Sequence, residues 1–389
     1  MSYIDFFSKN IKNKKWDAES IRGSCYEMCP QVEEKLRAKE KLVHVLEVVG
    51  STRQLVKSYS RSAADSNMAI PGLLRPFPIL KETTQYLLLR VTKRTDVTPA
   101  CVYDFINDRL RAIRQDMTVQ RLAPEECVQL LEPMIRFYVY FGYRLCTSPL
   151  SDFDPVLNKK YLLECMKWFL SCCDMLDGKS RDYELTELLS NWTIDKAEHR
   201  LTCDRVLVES LYVLCNLGDM HPLYRYLSLR PDIKRNSHLQ LVYKMAVANL
   251  HGNFVKLCQL SEKLCPLTYC AFLLHLPTIQ RRGVSVLSVA YSSARGAVPA
   301  GAVARWLRLR SAARAAALCS HHGLAIRRDH NDHNDHYEHN GHYEQNDQVH
   351  FNKKDFKADV DLMKPDTHVP DKLNIPIQEI LTYRTDGMI

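Results

Sequence analysis

The chain has 389 residues, of which 46% are hydrophobic and 25% charged, with a formal net charge of +8. This length exceeds one ordinary domain and is sufficient to bury a core. No run reaches the roughly 18 apolar residues of a membrane span, so we expect a soluble protein without a membrane partner.

The amino-terminal stretch MSYIDFFSKNIKNKKWD mixes acidic, basic and aromatic residues and lacks the apolar region of a secretory signal. We therefore expect residues 1–22 to form a flexible basic arm, and the protein to stay on the cytosolic or nuclear side. In that reducing environment the fourteen cysteines are interpreted as small core residues. Cys25 and Cys29 have no second Cys/His pair at zinc-finger spacing, so neither a metal nor another cofactor is predicted.

Several helices are predicted in the first part of the chain. Pro30 suits the first turn of a helix over residues 30–49, Glu33 and Glu34 suit its positive end, and Gly50 is expected to end it. A turn-rich connector with Pro71, Gly72, Pro76 and Pro78 follows. Further helices are predicted over 79–92, after Pro99 and over 124–145.

The stretch YDFINDRLRAIRQDMTVQ, residues 103–120, predicts an amphipathic helix. Its apolar stripe has offsets of four, three and four residues and consists of Ile106, Leu110, Ile113 and Met117. Off that stripe, arginines and aspartates are interleaved: Arg109, Arg111 and Arg114 with Asp104, Asp108 and Asp116. Two interpretations remain open: a solvated outer face of a core helix, or a docking face for acidic side chains or phosphates.

Only helices are predicted over residues 151–280, including 158–175, 205–216 and 239–250. Gly218 and Gly252 each follow a predicted helix and lie 34 residues apart, which is the period of tetratricopeptide-like helical hairpins. We therefore favour a stack of helix pairs.

Residues 281–328 contain nine arginines and no acidic residue, which indicates an anionic partner. Helices are predicted over 283–294, 299–309 and 311–323, the last capped by Ser311 and closed by Gly323. The runs LAI and VHF are predicted to pair as a hairpin, and three short helices before a two-stranded wing are typical of a winged helix. The candidate nucleic-acid or partner surface consists of Arg305, Arg308, Arg310 and Arg314.

The two runs are separated by a histidine-rich insert, residues 329–348, with the sequence DHNDHNDHYEHNGHYEQNDQ. Two interpretations remain open, metal binding by its imidazoles or a disordered, expanded wing tip. Further on, DKLNIPIQEILTYR predicts a strand or a short helix.

Catalytic motifs are not found. The sequence has no glycine-rich phosphate loop, no G-x-S-x-G elbow and no HExxH helix. We therefore predict a protein that is not an enzyme and has no small-molecule substrate.

Four blocks in order resemble the suppressor-of-actin-three/GANP family of messenger-RNA export scaffolds: GSCYEMCP, LVKSYSRSAA, LRPFPIL and YDFINDRLRAIRQDMTVQ. The resemblance extends more weakly to about residue 356. The residues matched to the family signature are Gly23, Cys25, Met28, Cys29, Pro30, Arg61, Arg75, Pro76, Asp108, Arg109, Arg111, Arg114, Gln115, Asp116 and Gln120. The position of the fourth block leads us to expect that Asp108, Arg109 and Arg114 hold the proline-rich connector against the first helices.

The resemblance implies an all-α helical repeat of the TPR-like, PCI type that ends in a winged helix. It divides the chain into the arm 1–22, a signature region 23–150, helical repeats 151–280, a winged helix 281–356 and an extension 357–389. The implied partners are another helical-repeat and winged-helix subunit and a small acidic protein, with RNA and centrosomal or spindle proteins as further partners. Compact animal members are associated with centrosome duplication and the spindle, and large members with nuclear mRNA export. The expected locations are therefore the cytoplasm, centrosome and spindle, or alternatively the nucleus near its pores.

Overall fold

A computed structural model describes residues 21–60, 70–189, 204–328, 347–364 and 373–382, with only the backbone described for 179–189 and for Arg328. Arg61, most of the arm 1–22 and most of the histidine-rich insert lie outside the described residues. The chain forms two compact units. The first consists of Met1–Val208 with Leu373–Ile389, and the second of Glu209–Lys372.

The first unit is built mainly from helices. Within the described residues these helices are α1 (Gln31–Lys39), α2 (Phe77–Leu89), α3 (Pro99–Gln120), α4 (Pro124–Arg144), α5 (Pro155–Leu189) and, near the carboxyl terminus, α15 (Ile377–Thr382). A small antiparallel hairpin joins β1 (Val48–Val49) to β2 (Thr52–Arg53). The predicted helices at 79–92, after Pro99, over 124–145 and over 158–175 are thus confirmed, with shifted ends, as is a short helix in DKLNIPIQEILTYR.

The predicted helix over residues 30–49 is wrong beyond Lys39. Lys41 has a left-handed backbone with φ of 56°, and a 3-10 turn and the hairpin follow. Gly50, with φ of 60°, lies in the hairpin turn between β1 and β2 and does not end a helix. The physical reason is an ion pair between Arg37 and Glu47, which are both buried. In a continuous helix these residues would be separated by about 15 Å along the axis, so the chain must turn back to pair them.

The centre of the first unit is the packing of α3, α4 and α5. Thr98 caps α3 by accepting a hydrogen bond from the backbone N–H of Cys101, and Arg121 ends the helix with φ of 50°. The predicted apolar stripe of α3 is fully buried. At its amino-terminal end, the Tyr103 ring lies 5.6 Å from the Phe137 ring and 5.0 Å from the Phe153 ring, measured between centroids. Burial of such large rings stabilises the unit and fixes the position of α3.

Helices also dominate the second unit. They are α7 (His221–Ser228), α8 (Pro231–Lys234), α9 (Ser237–Leu250), α10 (Phe254–Leu260), α11 (Pro266–Leu273), α12 (Leu276–Ala290), α13 (Ala300–Trp306) and α14 (Ala312–His321), and α6 (Arg205–Cys215) spans the boundary between the units. Gly218 and Gly252 have φ of 98° and 72°, so both adopt the left-handed conformation that commonly ends a helix. The predicted break after each helix is confirmed at both positions.

A three-stranded sheet ends the second unit. Its strands are β3 (Val298–Pro299), β4 (Ala325–Arg328) and β5 (Asp347–His350), in the order β3-β5-β4 with both pairs antiparallel. The predicted pairing of LAI with VHF is confirmed, because Ile326 lies opposite Val349. The predicted two-stranded wing omitted β3, which pairs with β5 through Val298 and Val349. Two residues are too few for a strand to be recognised from alternating hydrophobicity.

Candidate functional site

The four sequence blocks meet around α3, and we call their shared polar contacts the signature cluster. The backbone N–H of Gly23 donates to Oε1 of Gln120 at 2.8 Å, and Nε2 of Gln120 donates to the carbonyl of Arg75 at 2.8 Å. Gln120 therefore joins the first, third and fourth blocks. Gly23 is required there, because a Cβ would lie 2.7 Å from the carbonyl carbon of Leu74 and 2.8 Å from Gln120 Oε1.

Asp116 is one of two buried carboxylates at the centre of the signature cluster. It accepts from Nζ of Lys57 at 2.6 Å and from Nε of Arg75 at 2.8 Å, so it joins the second, third and fourth blocks. Arg75 is itself fully buried and also donates to the carbonyl of Met28, in the first block, at 3.3 Å. Charges removed from water in this way are tolerated only when paired and hydrogen-bonded.

Glu47 is the second buried carboxylate. It accepts from Arg37, from Nη2 of Arg109 at 3.2 Å and from the backbone N–H groups of Val56 and His44, both at 3.0 Å. Burial alone would raise the pKa of this carboxyl group. The hydrogen bonds and the guanidinium charges outweigh burial and hold the pKa of Glu47 below its usual value. The carboxylate is therefore ionised near neutral pH and cannot serve as a general acid.

Of the interleaved charges of α3, Arg109, Arg114 and Asp116 are buried, whereas Asp108 and Arg111 are half-buried and Asp104 is exposed. Arg109 and Arg114 are only 8% and 9% exposed, so the solvated-face interpretation is wrong for both, and so is a docking face for external phosphates. Asp108 accepts from the backbone N–H of Tyr59 at 3.1 Å, which holds the connector against α3 as expected. Arg111 lies 3.8 Å from the centroid of the Tyr59 ring, in a cation–π contact.

Arg114 and Gln115 complete the signature residues of α3. The guanidinium of Arg114 donates to Glu164 of α5 at 3.1 Å, so its partner is a later helix and not a neighbouring block. Gln115 donates to the carbonyl of Ser60, in the connector, at 3.3 Å. The contact of Asp108 thus agrees with the expectation. Arg109 differs from it, because its partners are Glu47, outside the four blocks, and Asp108 of its own block, and Arg114 differs as well.

The remaining matched residues position the first block and α2. Pro30 and Pro76 immediately precede α1 and α2. Cys25 and Cys29 are both buried, and burial, together with the nearby charge of Glu33, raises the pKa of Cys29 to about 12. A thiol with so high a pKa is protonated at neutral pH and is a poor nucleophile. No group of three or more metal-ligating side chains is found within the described ranges.

Sequence reasoning missed three members of the network: Glu47, Lys57 and Glu164. Glu47 falls within the predicted helix 30–49, which ends at Lys39, and Glu164 lies outside the four blocks. Glu47 is the single acidic residue in the apolar run VHVLEVV, and that position was the available signal that its carboxylate is buried. A buried carboxylate requires basic partners.

The second unit holds the other candidate surface, and its four arginines differ from one another. Arg308 pairs with Glu262 at 2.6 Å, and Arg314 donates to the carbonyl of Lys364 at 2.8 Å. Arg305 and Arg310 are exposed, and neither has a hydrogen-bond or ion-pair partner within the described part of the chain. Only this last pair is free to meet an external anion without first breaking an internal contact.

None of the described helices combines the length and the apolar character needed to cross a membrane.

Comparison with known proteins gives consistent matches. A family model described as the SAC3/GANP family matches residues 28–328. The chain is 26% identical to SAC3 family protein B of Arabidopsis thaliana over 79% of this chain and 18% of that protein. It is 26% identical to Protein xmas of Drosophila melanogaster, over 79% and 15% respectively.

A fungal relative agrees with the plant and insect proteins. SAC3 family protein 1 of Schizosaccharomyces pombe is 25% identical over 81% of this chain and 31% of its own length. The chain thus spans less than a third of the length of these relatives. The family model covers most of the chain, from within the first signature block to β4. The chain belongs to the SAC3/GANP family.

Proposed function

We propose that this chain is a non-enzymatic scaffold that assembles with other protein subunits. Family membership supports the proposal, and so does the chemistry of the signature cluster. Its charged residues have partners inside the first unit, with Glu47 and Asp116 each held by two basic side chains. Such a cluster positions helices and leaves no acid, base or nucleophile for a substrate.

The second unit is proposed to be a helical stack that ends in a winged helix, as in PCI-type subunits. The order of its last elements is helix, strand, helix, helix and two strands, with β5 between β3 and β4. This order is that of a helix-turn-helix relative with a hairpin wing. Helices α6 and α9 are each followed by a glycine, and these two glycines are 34 residues apart. This spacing supports a TPR-like stack before the winged helix.

An observation that supports docking is a pair of exposed apolar side chains on α12, the helix that precedes the proposed wing. Val286 and Val289 are 45% and 56% exposed and lie three residues apart, so they share one face of the helix. Tyr291, immediately after α12, is 47% exposed. Isolated exposed apolar residues are common, whereas neighbouring ones that form a patch mark candidate protein interfaces. The proposed occupant is the helical face of a second subunit of the same kind, with a small acidic protein as a further component.

Affinity purification tests this proposal directly. The tagged full chain, with Val286→Glu and Val289→Glu together, is expected to lose its partner subunit when purified from interphase and mitotic cells and analysed by mass spectrometry. Val156→Glu is the matched control, because Val156 is 77% exposed in the first unit. Retention of the same partners by the double variant would contradict docking through α12.

The same purification distinguishes the two proposed cellular roles. Recovery of centrosomal and spindle components would support a role in centrosome duplication and spindle organisation, with the protein in the cytoplasm and at the centrosome. Recovery of a second helical-repeat subunit with a small acidic protein would support the alternative, an adaptor in nuclear mRNA export located near the nuclear pore.

Nucleic-acid binding is a second candidate function, favoured by Arg305 and Arg310, which are exposed and have no partner among the described residues. Contacts to phosphates would make the affinity for a single-stranded RNA fall with salt, with a logarithmic slope of about 0.7 per phosphate neutralised. Arg305→Glu with Arg310→Glu should weaken binding and lower that slope. Val156→Glu again serves as the control. An unchanged slope in the arginine variant would exclude these residues as RNA contacts.

A further inference from the structure

After β5 the chain turns back along α14, and we call this returning segment, residues 352–364, the strap. It begins with a turn in which Nδ2 of Asn352 donates to Asp355 at 2.9 Å. It then passes directly over Gly323, which has φ of 85°. A Cβ at that position would lie 2.6 Å from the carbonyl oxygen of Asp355. The strap therefore touches the backbone at the carboxyl end of α14.

The strap binds both basic side chains of α14, Arg314 and His321. Nη2 of Arg314 donates to the carbonyl of Lys364 at 2.8 Å, and Nε2 of His321 donates to the carbonyl of Asp361 at 2.8 Å. Arg314 and His321 are seven residues apart, so they lie on one face of the helix. The strap runs antiparallel to α14 along that face.

His322, the next residue, is held most tightly. Its Nδ1 donates to the carbonyl of Lys357 at 3.1 Å, while the backbone N–H of Lys357 donates to the carbonyl of His322 at 2.8 Å. The ring of Phe356 stacks on the imidazole with 5.3 Å between centroids. The other side chains from 312 to 320 belong to alanine, leucine, cysteine and serine, so α14 keeps no unengaged cationic side chain.

We infer that the strap is an internal competitor for the donors that α14 would offer to an anionic chain. Strap carbonyls accept from Arg314, His321 and His322, and phosphate oxygens would accept from the same groups. Binding of a nucleic acid along this face of α14 therefore requires the strap to leave. This inference rests on the second candidate function, nucleic-acid binding, and adds to it a regulated surface distinct from Arg305 and Arg310.

The strap is suited to open separately from the rest of the unit. Most of its side chains are exposed, Leu362 by 41%, and only Phe356, Val360 and Met363 among its large apolar residues are half-buried. Segments with few buried apolar contacts open at a lower free energy than the core that they cover.

A matched pair of variants tests the inference. Lys357→Pro removes the backbone N–H that donates to His322, whereas Lys357→Ala removes the same charge and keeps that N–H. Phe356→Ala, which removes the stacked ring, is a second releasing variant. Strap opening is measured in the full chain by amide hydrogen exchange over residues 312–324 and 352–364. Affinity is measured by fluorescence anisotropy with a labelled single-stranded oligouridylate.

Both releasing variants are expected to exchange faster in both segments. Lys357→Pro should bind the oligouridylate about tenfold more tightly than Lys357→Ala, and Phe356→Ala about tenfold more tightly than the unmodified chain, because a larger fraction of molecules is competent to bind. Faster exchange with unchanged affinity would overturn the competition and leave salt-dependent binding by Arg305 and Arg310 intact. If neither variant exchanges faster, the strap is not a separately opening element and the inference is wrong. If the opened variants and the unmodified chain all fail to bind, nucleic-acid binding itself is excluded.

Discussion

At the scale of single residues, the first unit depends on buried carboxylates that each hold two basic side chains. Asp116 and Glu47 are both fully buried, and their partners come from segments up to 62 residues distant in the chain. A buried ion pair is not by itself a large source of stability, since desolvation opposes it. Its consequence is specificity, because any other arrangement of the blocks leaves a charge unpaired.

This predicts that Asp116→Asn is strongly destabilising. The substitution removes the negative charge between Lys57 and Arg75 and leaves a fully buried guanidinium without a counter-charge. We expect the free energy of unfolding of the first unit to fall by about 3–5 kcal/mol, measured by urea denaturation. Asp96→Asn is the control, because Asp96 is an exposed partner of Arg94 and little change is expected. Equal effects from the two substitutions would contradict the role given to Asp116.

The stability of the first unit is expected to depend on pH because of Glu47. Its pKa is depressed in the folded chain relative to the usual value of 4.5, so the unfolded chain binds more protons as the pH falls. The contribution to stability is therefore fully present above that value and is lost as the pH falls through the folded-state pKa. Urea midpoints of the unmodified chain should decline below about pH 4.5, and those of Glu47→Gln should be lower at neutral pH but decline less. Parallel curves would show that another group is responsible.

At the scale of elements, most helices were predictable because their apolar residues recur at helical spacing and proline or glycine marks their ends. The stripe of α3 and the glycines after α6 and α9 are examples. The predicted helix is wrong at residues 40–49 for a different reason. Helical periodicity continued there, but the buried pair of Arg37 with Glu47 required the chain to reverse. A contact between residues in different elements overrides local preference, and spacing within one element does not reveal it.

In the second unit, α12 packs closely against its neighbours at Gly283. Gly283 lies in α12, where a Cβ would overlap the side chain of Leu307 and approach the Phe254 ring to 3.2 Å. Gly283→Ala should therefore destabilise the second unit by about 1–3 kcal/mol through overpacking. Gly301→Ala in α13 is the matched control, because a Cβ there meets nothing within 4 Å and helix propensity favours alanine by up to about 1 kcal/mol. Calorimetry should show melting shifts of opposite sign, and two downward shifts would contradict the packing argument.

At the scale of the whole molecule, the order of the four blocks indicated the family, but the sequence did not indicate which parts share a unit. The predicted extension 357–389 is divided between units: the strap belongs to the second, and the residues from Leu373 onward belong to the first. Likewise, the spacing of α3 left a solvated face and a docking face open for its arginines, and Arg109 and Arg114 are buried. Neither outcome is readable from periodicity, because both depend on contacts between distant segments.

Near its carboxyl terminus the chain returns to the first unit through helix α15. Ile380 and Leu381 of α15 are buried to 0% and 4% exposure, and Nε2 of Gln378 donates to Thr92 at 3.1 Å, 286 residues away in the chain. The helix α15 packs on α2 and α4, so it closes the same core that the signature blocks organise. Ile380→Ala leaves a cavity there and should cost about 2–5 kcal/mol of the first unit's unfolding free energy.

Amide hydrogen exchange resolves where that loss occurs. Protection should fall in α2 and α4 of the first unit and stay unchanged in α9 and α12 of the second, since the cavity lies outside the second unit's core. Leu227→Ala is the control, because Leu227 is 57% exposed in α7 and its removal opens no cavity. A loss of protection confined to the second unit would contradict the assignment of α15. Loss in the first unit alone would show that the stability of the signature region depends on the far end of the chain.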